Sequence, residues 1–132
     1  MTKLFLIICL FLCIQDDPVM SWDEDYKLTW ADFKDDPKDF GSAVATTASG
    51  ITFGFSIKES NTKGIVGFTT NIDAHFYPEK SWYKPERATP HVLGHEQLHF
   101  DITELHARKF RESVSKLSIN SNIKSELRSL HK

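Results

Sequence analysis

The chain has 132 residues, 16 of them Lys or Arg and 18 Asp or Glu, for a formal net charge of −2. That length carries one domain with one core, and so even a charge balance gives no electrostatic footprint for nucleic acid. Both cysteines, Cys9 and Cys13, lie near the start. The remainder therefore has no disulfide framework, thiol nucleophile or thiolate metal site, and any metal must be held by His, Asp and Glu.

Lys3 precedes an unbroken apolar run from Leu4 to Ile14, which Asp16, Asp17 and Pro18 end. The run is too short for the ~20 residues of a membrane-spanning helix and has the layout of a secretory signal. Val19-Met20-Ser21 allows a cut before Trp22. The expected organisation is a leader over 1–21 and a single domain over 22–132, exported and in contact with a membrane only through the leader. Without Lys3, Asp16 and Asp17 the domain keeps 15 basic and 16 acidic residues, a net charge of about −1. An uncleaved anchor is the alternative. A lipoprotein signal ending at Cys13 is disfavoured by the large Leu12 before it.

Tyr26 to Trp30 (YKLTW) alternates and is aromatic and β-branched enough for a short strand. Ala31 to Gly41 carries Pro, Gly and several Asp and reads as a loop or single turn. Ala43 to Ala48 is a candidate strand of small residues, with Ser49-Gly50 as a turn after it. Ile51 to Ile57 (ITFGFSI) is the clearest strand, with Ile51, Phe53, Phe55 and Ile57 on one face. Lys58 to Lys63 is a polar hairpin loop closed by Gly64. Ile65 to Tyr77 forms one long strand or two, ended by Pro78. Residues 80–87 form a loop in which Trp82 and Tyr83 read as packing residues.

Thr89 is a helix cap and Pro90 suits the first helical position. Helical periodicity then runs to about Leu117, with Leu98, Ile102 and Leu105 as the expected buried stripe and Phe110, Val114 and Leu117 extending it. Gly94 costs such a helix about 1 kcal/mol relative to Ala and is expected where the helix packs closely on a strand. Ser118 to Asn122 is a linker, and Ile123 to Leu130 a second, short helix. Strands followed by helices give an α+β domain, a small and mostly antiparallel sheet packed on one long helix.

That helix contains His95-Glu96-Gln97-Leu98-His99. A spacing of four residues is little more than one turn, so both imidazoles leave the same face and can share one metal ion. Glu96 lies about 100° around the helix, where its carboxylate can reach a metal-bound water. Two imidazoles and such a carboxylate are the parts of a zinc hydrolase, with His95 and His99 as ligands and Glu96 as general base. The bland reading is two surface histidines and a solvated charge.

A catalytic zinc takes three protein ligands. His106 lies seven residues past His99, about 10 Å along a straight helix, and cannot share an ion with both histidines. His91 has the same problem one turn upstream. Glu112 is too far along the helix. His75, on the preceding strand, is the first candidate for the third ligand and Glu126, on the last helix, the second; His131 lies on that helix too. Asp101 and Glu104 fit as supporting partners, for instance orienting an imidazole or pairing with Arg108. Arg108 and Arg111 read as solvating the helix.

Several segments together resemble the bacterial domain of unknown function 922, described as predicted secreted zinc-dependent proteases. They are 28-LTWADF-33, the small residues leading into 50-GITF-53, Ser81-Trp82, and 95-HEQLHFDITELHAR-108. The resemblance covers most of residues 22–132. It implies a zincin-like fold, zinc, and hydrolysis of a peptide or protein substrate in the periplasm or outside the cell. Members of that family often continue past this helix into a segment with Tyr-Asp and His-Gly, which this sequence does not contain. In zincin-type peptidases the strand before the metal helix pairs with the substrate, which here points to Ile65–Tyr77. The alternative is a catalytically incomplete binding or interaction module on the same scaffold.

Overall fold

A computed structural model describes residues 17–39 and 41–130. The apolar run 4–14 with Cys9 and Cys13, and His131, lie outside the described residues. Among the described residues the architecture is α+β, with five strands paired antiparallel in two small sheets, two α-helices and three short 3-10 turns.

The largest unit is a hairpin of β3 (Ser49–Ser60) and β4 (Gly64–Phe76), turned at 61–63 with Gly64 at φ +70°. A positive φ is what glycine tolerates without strain. The strands pair from Ser49↔Phe76 to Ser60↔Gly64, with a bulge between Lys58 and Glu59. Ser49 and Gly50 are thus the first residues of β3 rather than a turn. Period-two alternation sends Ile51, Phe53, Phe55 and Ile57 of β3, and Ile72, Ala74 and Phe76 of β4, toward the helix.

β1 (Met20–Ser21) pairs with Phe76 and His75 on the other side of β4, giving the order β1-β4-β3. These two residues end the segment assigned to the leader, so a cut before Trp22 would remove this strand. Separately, β2 (Ala45–Thr46) pairs with β5 (Trp82–Tyr83). The small-residue run therefore supplies two strand residues rather than six.

Tyr26 to Trp30 is not a strand. Asp32 Oδ2 accepts from the Thr29 backbone N–H at 2.7 Å and from its hydroxyl at 3.0 Å, folding Trp30–Asp32 into a single 3-10 turn. The alternation had a local competitor: an Asp three residues on that captures the backbone. Trp30 then stacks on Tyr83 at 4.5 Å, and Trp82 is buried, so both aromatics of β5 are packing residues.

α1 spans Pro90–Ser115, capped by the Thr89 hydroxyl, which accepts from Val92 N–H at 3.2 Å. It lies across the apolar face of the hairpin, and α2 (Ile123–Leu130) packs Ile123 and Leu127 near Val114 at its far end. The buried face of α1 is not the expected one. Leu98, Ile102 and Leu105 are about half exposed, whereas Glu96, Phe100, Glu104, Ala107 and Val114 are buried. Apolar residues occur on both sides of this helix, and the side carrying Phe100 meets Phe76 at 5.8 Å. Gly94 faces open space, so no close approach explains it. Among the described residues no helix is long and apolar enough to cross a membrane.

Candidate metal centre

The first two turns of α1 form one wall of a cleft of about 590 Å³, through His91, Val92, His95, Glu96 and His99. The opposite wall is the small-residue segment 43–47. β4 is not at this cleft. It is the central strand of its sheet, and the edge beside the histidines belongs to β2.

The Nε2 atoms of His95 and His99 are 3.0 Å apart. Two nitrogens each 2.0–2.1 Å from one tetrahedral ion are separated by about 3.3 Å, so the pair fits a shared zinc with little movement. Ligand atoms of His95, Glu96 and His99 all lie within 4.8 Å of one another. The imidazoles are exposed, whereas Glu96 is buried at 5% exposure. Its Oε2 accepts a hydrogen bond from the Thr47 hydroxyl at 2.6 Å. The sequence carries no signal for Thr47, since 49 residues separate it from its partner and only the approach of β2 to α1 brings them together.

The structure does not bring either candidate third ligand to this pair. His75 points from the face of β4 opposite α1, between Thr52 Oγ1 at 2.8 Å and Ser21 Oγ at 3.4 Å. Alternation is the reason: Ala74 and Phe76 face the helix, so the residue between them faces away. Glu126 accepts from Asn120 Nδ2 at 3.3 Å, on the short helix that shares a core cluster with Val114, and its carboxylate is not among the ligand atoms grouped with the pair. Among the described residues no other His, Asp or Glu joins the group.

Polar partners on the other flank of α1 fix the helix in place. Asp101 Oδ1 accepts from the Trp22 indole N–H at 2.9 Å and from Gln97 Nε2 at 2.8 Å, while Gln97 Oε1 accepts from Leu28 N–H at 2.8 Å. Asp101 is thus a structural partner but orients no imidazole. Glu104 pairs with Arg108 as the spacing predicts, and also with Arg111, each at 2.9 Å. Arg111 further donates to Ile72 O at 2.8 Å, and Arg108 lies 5.0 Å over the Trp22 ring. These arginines tie α1 to its surroundings rather than only solvating it. Burial pushes the Glu104 carboxyl up, but the hydrogen bonds and charges of Arg111 and Arg108 outweigh it and hold it below the ordinary range.

A scan against models of known protein families finds no match, and neither curated proteins nor solved structures yield a relative of this chain.

Proposed function

We propose that the chain is an exported, zincin-like zinc metallohydrolase that acts on peptides. The observation that carries this is the placement of the His95 and His99 nitrogens 3.0 Å apart beside the buried Glu96 carboxylate, in a cleft large enough for a ligand. The resemblance of residues 28–33, 50–53, 81–82 and 95–108 to a family described as predicted secreted zinc-dependent proteases points the same way.

Zinc, when bound, supplies Lewis-acid polarisation of water and of a scissile carbonyl. His95 and His99 would hold it. Glu96 accepts the proton of the attacking water and passes it to the leaving amine. Thr47 leaves Glu96 one oxygen free while fixing the other. Lys84 N–H donates to Val44 O, so the bonded pairs between β2 and β5 are 44/84 and 46/82, and the N–H and C=O of Ala45 turn away from β5. An extended peptide in the cleft would pair with that edge.

The test is zinc content and turnover of a casein or quenched-peptide substrate by the purified chain, beside His95→Ala and Glu96→Gln. One zinc per chain lost in the first variant, and turnover lost with zinc retained in the second, is the expected pattern. Turnover that survives Glu96→Gln would refute the mechanism. A second reading, a binding module with an incomplete metal site, is favoured by the lack of a third ligand near the pair among the described residues. It predicts weak zinc binding and no functional effect of Glu96→Gln.

A further inference from the structure

Among the described residues no third ligand joins His95 and His99, and a candidate source for one lies on the same helix. Leu98, Ile102 and Leu105 are 57%, 50% and 48% exposed, and their spacings of four and three residues place them in one narrow seam along α1. The geometry points to a second copy of this chain as the occupant of that seam, with the partner's His106 completing the metal site of His95 and His99. This rests on the zinc reading of the pair.

The argument is one of register. Two copies of α1 packed antiparallel through the seam, with a two-fold axis at Ile102, bring Leu98 of each copy level with Leu105 or His106 of the other. Residue 106 of the partner then falls within about one helical rise, 1.5 Å, of the midpoint between His95 and His99. At 100° per residue, His95, His99 and His106 lie within about 40° of one another, on the same flank of the seam. A two-fold axis perpendicular to an antiparallel pair keeps that flank of both helices on the same side. Side chains there reach across the 8–10 Å between packed helices. His106, too far from the pair within one chain, is at the right level and on the right side in the other.

The result would be two sites per dimer, each with three imidazoles and an open position beside Glu96. Three half-exposed side chains fall well short of the ~800 Å² per partner of a stable interface. The dimer should therefore form only with metal bound.

The experiment is zinc titration of the purified full chain with molar mass read by light scattering, for the wild type, His106→Ala, the double variant His95→Ala/His99→Ala, and an equimolar mixture of the last two. His106 is exposed, so its loss should leave the fold intact by circular dichroism. The expected result is a zinc-dependent wild-type dimer with one zinc per chain, dissociated by a chelator. His106→Ala stays monomeric and binds zinc at least about 100-fold more weakly, a loss no smaller than those from outer partners of metal ligands. The mixture regains one tightly held zinc per two chains, because one copy keeps the pair and the other keeps His106. Leu98→Asn/Ile102→Asn weakens dimer and zinc together. Tight zinc in a monomer, or tight zinc in His106→Ala, overturns the shared site but leaves the zinc reading standing. Tight zinc in the wild type that the mixture fails to regain likewise overturns the shared site alone, whereas no zinc in the wild type overturns both.

Discussion

Glu96 and Glu104 lie two turns apart on the same helix and are buried to almost the same degree, yet their surroundings differ. Glu104 is held by two guanidiniums, from Arg108 and Arg111, one of which also grips the backbone of β4. Glu96 receives one hydroxyl, from Thr47, and sits against two imidazoles in an open cleft. A buried carboxylate saturated with counter-charge fastens a helix in place. One left with spare acceptor capacity beside solvent is available for chemistry.

The comparison breaks most visibly if the two glutamates are exchanged in importance. Glu96→Gln should lower turnover of the zinc-loaded chain by about a thousand-fold, within the range of general-base removal, and leave the melting temperature nearly unchanged. Glu104→Gln should do the reverse, costing about 2 kcal/mol in denaturant unfolding with zinc affinity intact. Because the Glu104 carboxyl is depressed in the folded state, its contribution is present above the ordinary carboxylate value of 4.5 and is lost as pH falls through the lower folded value. Acid titration of stability in the wild type should show that loss, and in Glu104→Gln it should be flattened.

Smaller effects sharpen the contrast. Thr47→Val removes the donor to Glu96 and should cost about 1 kcal/mol by thermal melting, with Thr47→Ser restoring most of it. Gly94→Ala meets nothing within 4 Å and should stabilise the chain by up to about 1 kcal/mol. Destabilisation there would mean that Gly94 meets a neighbour which this structure does not place within 4 Å.

Local signals were legible where they were uncontested. Thr89 and Pro90 start α1, Gly64 closes the hairpin, and ITFGFSI alternates as a strand should. The Tyr26–Trp30 segment was illegible because its alternation competed with a side-chain bond from Asp32. The candidate site was half legible: the spacing of His95, Glu96 and His99 fixes their adjacency, but nothing nearby in sequence announces Thr47, Trp22 or Leu28.

The sequence by itself determined the long hairpin and the two α-helices and which residues share a face of each, because those follow from the 3.6- and two-residue periods of the backbone. Only the tertiary structure decided which face turns inward. A period fixes relative directions, not absolute ones, so Leu98, Ile102 and Leu105 could point to solvent while Glu96 and Glu104 went inside with their partners. By the same freedom His75 could turn away from His95 and His99 to the far side of its strand. Those choices depend on what packs against each element, and that is settled between residues distant in the chain.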